Sequence, residues 1–290
     1  MIEQALNQHL QEQEDLLLPY LAEYGKKMAI FNQEAPADRD PAWGAGPQYG
    51  RIVFAVDLQG DPERTIGGML TVDILCKEDE QFPEEIEPII RDLIHGYFFS
   101  NGTFTVAAQW KNSSYFTEPT NEVTGCTVTF DLLAFPVITT TAPDVVALLN
   151  EWTAKIPDVH VINYKPLPTP AWKPSEGKSA VYWRRVSVKP ASWVPDTYQT
   201  VYRTAEVRGH IFAETPSEVA TLGDRIVIGL YAAKWLRKPE EGFIRVDRNN
   251  TTNDGADPLR MGQVTVEATY GVIVRFANSE TIEHINYPRK

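Results

Sequence analysis

The chain of 290 residues is 43% hydrophobic and 23% charged, values that suit a globular protein of two ordinary domains and fit neither a collagen-like, a membrane nor a disordered architecture. Its formal net charge of −12 is unevenly placed: residues 1–138 hold 8 Lys and Arg against 22 Asp and Glu, a net −14, and residues 139–290 hold 19 against 17, a net +2. Without a clustered cationic excess to displace phosphate counterions, tight nucleic-acid binding is disfavoured as a main function.

The first elements in the chain are a helical pattern running to about Tyr24, then Ile30-Phe31-Asn32, a turn-rich stretch opened by Pro41-Ala42-Trp43, and an extended run from Ile52 to Val56. A strand at Met69 to Leu75 leads to a predicted helix from Pro83 to Phe98, whose Ile86, Ile89 or Ile90, Leu93 and Tyr97 recur at spacings of three and four. Glu84, Glu85 and Glu87 crowd its start, where the helix dipole favours negative charge, so they read as helix-start residues rather than an acid/base pair. A strand opening at Gly102, a polar loop from Lys111 to Val123 and a long strand with Cys126, Val128, Phe130 and Leu132 on one face complete the unit.

The same order then repeats. After a boundary between Phe135 and Pro143 come a helix from Val145 to Lys155, Val161-Ile162-Asn163, a second Pro-Ala-Trp at 170–172, an extended run from Val181 to Val186 and a strand at Ala205 to Ile211. Thr215-Pro216-Ser217-Glu218 is a capping box with proline at the first helical position. In the helix that follows, Pro216, Val219, Leu222, Ile226, Gly229, Leu230 and Tyr231 align without a gap on Pro83, Ile86, Ile89, Leu93, Gly96, Tyr97 and Phe98. A strand from Gly242, a polar loop from Asp247 to Met261, and a strand alternating from Val264 through Val266, Ala268, Tyr270 and Val272 to Val274 close the second copy. The expected fold class is α+β, with two related domains at residues 1–138 and 139–290, each a mostly antiparallel sheet packed by two helices.

Motifs of catalysis and cofactor binding fail on inspection. Gly177-Lys178-Ser179 resembles the end of a phosphate-binding loop, but Trp172 stands where its first glycine belongs and a strand pattern follows it. Gly44-Ala45-Gly46-Pro47-Gln48-Tyr49-Gly50 begins like a dinucleotide fingerprint, yet Tyr49 replaces the third glycine and Pro47 lacks an N–H. Asp247, Asn249, Thr251 and Asn253 alternate as in a calcium loop, but Thr252 and Pro258 occupy the positions that need glycine and glutamate. His9, His95, His160, His210 and His284 are scattered without zinc spacing, and Cys76 and Cys126 sit in strand patterns, as packing residues do. No catalytic, cofactor-binding or metal-binding residue is therefore assigned, and no cofactor is expected. The opening Met1-Ile2-Glu3-Gln4 lacks the regions of a secretory signal and no apolar run approaches the roughly 18 residues of a membrane span, so a cytoplasmic, non-membrane protein is expected.

The stretch from Met28 to Pro47 leading into Arg51 to Leu58, the strand from Gly68 to Leu75, the helix from Pro83 to Phe98 and the strand from Val123 to Phe135 together resemble the tail-terminator or tail-completion family of tailed bacteriophages. The likeness is one of pattern, covers most of the first half and extends more loosely to the second; members of that family usually carry one such domain, and a tandem copy departs from the pattern. What the resemblance implies is a structural, non-enzymatic virion protein, assembled in the host cytoplasm as a homo-oligomeric ring, by that likeness a hexamer, at the head-proximal end of the tail tube. It would touch tail-tube and neck proteins and let DNA pass without tight binding. The acidic first half, with Asp57, Asp61, Glu63, Glu78, Asp79 and Glu80, is the candidate wall of that channel, since a wall of like charge lets a duplex slide. Two other readings remain open at this point, a hydrolase using carboxylates such as Asp57, Asp61 and Glu63, and a ligand-binding module using exposed tryptophans.

Overall fold

The structure is a computed structural model and describes residues 2–59, 66–78, 80–101, 105–118, 122–137, 140, 143–238, 242–251 and 258–273. In chain order the first elements are α1 (Ile2–Gln11), α2 (Glu14–Leu17), β1 (Glu23–Tyr24), β2 (Lys27–Met28), β3 (Ile30–Asn32), a 3-10 turn (Pro41–Trp43), β4 (Arg51–Leu58), β5 (Ile66–Lys77), α3 (Pro83–Ile94), β6 (Phe98–Ser100), β7 (Thr105–Glu118) and β8 (Val123–Ala134). Then follow α4 (Val145–Thr153), β9 (Val159–Val161), β10 (Ala171–Trp172), β11 (Ser179–Pro190), β12 (Thr200–Phe212), α5 (Pro216–Ala233), β13 (Trp235–Lys238), β14 (Gly242–Thr251), α6 (Pro258–Met261) and β15 (Val264–Ile273).

The fold is α+β and duplicated. One sheet runs β6-β7-β8-β5-β4-β3, and the other repeats that order as β13-β14-β15-β12-β11-β9. In both, the short strand after the first helix lies parallel to its neighbour: Ile30 pairs with Ile52, and Val161 with Val181. The long pairs are antiparallel, with Ile74 opposite Cys126 in the first sheet and Val207 opposite Val266 in the second. The first sheet gains one further strand, β10, beside β6. By contact, Met1–Ile138, Ile156–Tyr182 and Phe212–Val219 form one compact unit, and Thr139–Lys155, Trp183–Ile211 and Ala220–Lys290 another.

Each core follows from the periodicities. In the first unit the period-two residues Leu70, Val72, Ile74 and Cys76 of β5 and Cys126, Val128, Phe130 and Leu132 of β8 are buried on one sheet face. Ile2, Leu6 and Leu10 of α1 and Ile86, Ile90 and Ile94 of α3 join them in a single cluster. In the second, Val207, Val264, Val266 and Ala268 are buried together with Leu148 and Leu149 of α4 and Leu222, Ile226 and Leu230 of α5. Phe54 and Trp183 hold equivalent positions on β4 and β11 and are among the largest fully buried side chains; each contributes roughly 1.5–3 kcal/mol by leaving water. The Trp183 indole N–H donates to Thr153 Oγ1 at 2.9 Å, so its one polar atom is satisfied.

Several expectations are corrected. The segment Lys111–Glu118 is not a loop: β7 continues to Glu118, paired with β8 down to Glu118 opposite Val123, while residues 119–121 lie outside the described residues. Most of its side chains are polar because this arm of the hairpin stands in solvent, and Tyr115 and Phe116 are adjacent rather than alternating, so no apolar alternation betrays it. In the same way β14 runs to Thr251 opposite Val264, while residues 252–257 lie outside the described residues. Both hairpins carry a β-bulge, at Lys111 and at Asp247, which raises the local twist. The helical pattern expected to reach Tyr24 ends earlier, at Gln11 and Leu17, and Tyr24 lies in β1. The two Pro-Ala-Trp segments diverge as well, one a 3-10 turn and the other the start of an added strand.

The gapless helix alignment holds only over its first part. α3 stops at Ile94 and Gly96 takes φ +77°, which a residue with a Cβ adopts only under strain. Gly229 instead lies inside α5, where a Cβ would approach the Trp152 ring to 2.8 Å. One glycine ends a helix and the other lets α4 and α5 approach closely. As a result α5 has 18 residues against 12 in α3. The capping box is formed as expected: Glu218 N–H donates to Thr215 Oγ1 at 3.2 Å and Thr215 N–H to Glu218 Oε2 at 3.0 Å.

Candidate interaction surfaces

Of the three carboxylates considered for hydrolysis, the described residues include only Asp57. Asp57 stands exposed on β4, while Asp61 and Glu63 lie outside the described residues. Glu78 and Glu80 are exposed, and Asp79 lies outside. The histidines are spent singly: His9 bonds the Leu93 carbonyl at 2.8 Å, His210 the Leu259 carbonyl at 2.7 Å, and His95 Nδ1 accepts from the Trp110 N–H at 3.1 Å. Burial is the main cause that holds His9, His95, His160 and His210 below the ordinary value of 6.5. His284 is outside the described residues. Among the described residues no group of three His, Cys, Asp or Glu side chains could hold a metal ion. Nor, among them, is any helix long and apolar enough to cross a membrane.

Cys76 and Cys126 are fully buried free thiols. Burial pushes the first up to about 12 and the second up to about 11. Neither is a nucleophile at neutral pH, because the thiolate is the reactive form. Gly177 adopts φ +70° in a tight turn closed by Ser175 and Lys178, and its N–H donates to Glu218 Oε1 at 3.0 Å. That bond, with those from the Thr215 backbone, holds the Glu218 carboxyl below the usual range. Trp43 is buried against Tyr24 and Phe31, so it packs a turn. Asp247 and Asn249 also have local duties: Asp247 Oδ2 accepts from Thr269, and the Asn249 amide donates to the Val227 carbonyl at 2.8 Å.

The most organised polar cluster lies where α3 crosses β7. Glu87 is buried and accepts from Ser113 Oγ at 2.6 Å, with Arg91 at 3.5 Å. Ser113 Oγ in turn accepts from the Trp110 indole at 3.1 Å, and the Arg91 guanidinium stands 5.5 Å from the Trp110 ring. The sequence reading of Glu87 as a helix-start carboxylate missed this, since its partner lies on a strand read as a loop. The cluster fixes the arm β7, which exposes Trp110, Tyr115 and Phe116.

The second unit exposes a different surface. Ile228, Tyr231 and Trp235, spaced three and four apart at the end of α5 and the start of β13, are exposed. Beside them is a cleft of about 420 Å³ lined by Tyr231, Lys234, Trp235, Arg245 and Asp247. Trp193 covers the Arg245 guanidinium at 4.0 Å, and Arg245 lies 3.1 Å from Asp247. Leu230, expected on the buried stripe, is buried, whereas the neighbouring Tyr231 is exposed.

No protein-family model matches the chain, and no curated protein matches it significantly.

Proposed function

We propose that this protein is a structural subunit of a tailed bacteriophage, assembling as a closed homo-oligomeric ring, of six duplicated chains or of three, at the head-proximal end of the tail tube. In this role it is non-catalytic, meets tail-tube and neck proteins, and lets DNA pass without tight binding. The single observation that carries the reading is the repetition of one strand order, parallel edge strand included, twice in one chain. A tandem pair of like units presents like surfaces twice, which is what head-to-tail cyclic assembly uses. The exposed aromatic side chains Trp110, Tyr115 and Phe116 on β7, Tyr231 on α5 and Trp235 on β13 support the reading, because aromatic residues are enriched at protein contacts. The net −14 of the first half supports a channel that does not grip phosphate.

The test is the mass of the purified protein by light scattering, with electron microscopy before and after adding tail-tube protein. Annular particles are expected. A strictly monomeric mass at high concentration, with no annulus on the tube, overturns the reading, and tight salt-sensitive DNA retention overturns the acidic-channel part of it.

A further inference from the structure

The two related helices differ in length, and the difference lies at one end. Relative to α3, α5 carries six more residues, Ile228–Ala233, before β13 begins. Those residues do not extend the buried stripe alone. Ile228 is 67% exposed and Tyr231 70%, and Trp235 just beyond is 45% exposed. Arg225 and Lys234 are exposed around them, beside the exposed Asp224, while Arg245 in the cleft wall is already paired with Asp247. An apolar ridge flanked by Arg225 and Lys234, cations unmatched among the described residues, is costly to leave in water and favours a partner that brings carboxylates around an apolar side chain.

The chain carries that opposite pattern at the start of α3. Phe82, the residue before the helix, is 55% exposed, and Glu78, Glu80, Glu84 and Glu85 around it are exposed carboxylates. It is an aromatic side chain in an acidic frame, set in the half of the chain whose net charge is −14. We propose that the Ile228–Tyr231–Trp235 ridge of one copy of this chain docks the Phe82 corner of a second copy. This rests on the ring reading and names its contact. The two surfaces are different, so the contact is heterologous, and repetition with a closing rotation gives a ring.

The experiment uses the full chain with Tyr231→Asp or Phe82→Asp, each at an exposed position, with circular dichroism to confirm the fold. Each variant alone is expected at the chain mass of 32.7 kDa. An equimolar mixture is expected to give a dimer of twice that mass and nothing larger, because each variant keeps one intact face. A charge-swapped chain, Glu84→Lys with Glu85→Lys, should lose assembly and regain it when mixed with Arg225→Glu with Lys234→Glu. Wild-type protein that is monomeric overturns the ring and this contact together. Wild-type rings that persist in both aspartate variants overturn the contact alone, as does a mixture that stays monomeric. Phe82→Asp protein that still dimerises shows the α5 ridge pairing with itself or with another surface, and also overturns it.

Discussion

The Ser113 hydroxyl donates to the Glu87 carboxylate at 2.6 Å, joining a helix to a strand 26 residues away. Glu87 is buried, and its other neighbour is Arg91 at 3.5 Å. Glu87→Ala leaves a hydroxyl and a guanidinium without that acceptor, and a loss of about 1–3 kcal/mol is expected. Glu87→Gln keeps an oxygen for Ser113 and should cost less. Thermal melts of the two variants decide it; equal stability of wild type and the alanine variant would sink the assignment.

Gly229 sets the distance between α4 and α5. A Cβ there meets the Trp152 ring at 2.8 and 2.9 Å, so Gly229→Val overpacks the contact and should cost roughly 1–3 kcal/mol. Combined with Trp152→Leu, part of that loss should return, and a double-mutant cycle in denaturant reads the coupling. Additive losses would mean that the ring is not what the glycine makes room for.

Buried histidines give a pH window. Burial lowers His9 and His210 from 6.5, outweighing the opposing Leu93 and Leu259 carbonyls. Below 6.5 the unfolded chain takes up protons that the folded chain does not, so stability increases with pH in that range. Stability from these groups is complete above 6.5 and is lost as pH falls from there through the folded values. The thermal midpoint should be flat above that pH and decline below it, and His210→Gln, which can still donate to Leu259, should make the decline shallower. A midpoint that rises on acidification to about pH 6 contradicts the direction of both shifts.

The two thiols should report unfolding. With Cys76 at about 12 and Cys126 at about 11, both fully buried, alkylation by iodoacetamide near pH 8 should be negligible in the native state. Labelling should rise with denaturant along the same curve as circular dichroism. Rapid native labelling of either cysteine would show that its strand opens locally.

What could be read from the sequence was whatever faces a core on one side. Ile86, Ile90 and Leu93 announce α3, and Cys126, Val128, Phe130 and Leu132 announce β8, because one buried face imposes a period on the residues. The arm Lys111–Glu118 of β7 is exposed at all but Ser113, so no apolar alternation separates it from a loop. β6 and β13 are three and four residues long, too short to show alternation. The similarity between Gly96 and Gly229 misled because glycine answers two physical needs, a positive φ and a missing Cβ. The α5 ridge was hidden by the same helix period that revealed its core, since Tyr231 adjoins the buried Leu230 and continues the alignment.

The first unit takes β10 and Phe212 from far along the chain: Ala171 and Trp172 pair with Phe99 and Phe98, and Phe212 meets Phe98 and Phe135 edge-on. A ribosome that has released residues 1–138 has therefore not yet delivered the parts that cover the edge of β6. Until synthesis passes Trp172, the end of β10, Phe98 and Phe99 border an open strand edge, the kind that recruits neighbouring chains. The nascent protein thus depends on vectorial timing, and a gene cut at residue 138 should yield insoluble product where one cut at residue 219 keeps this edge capped.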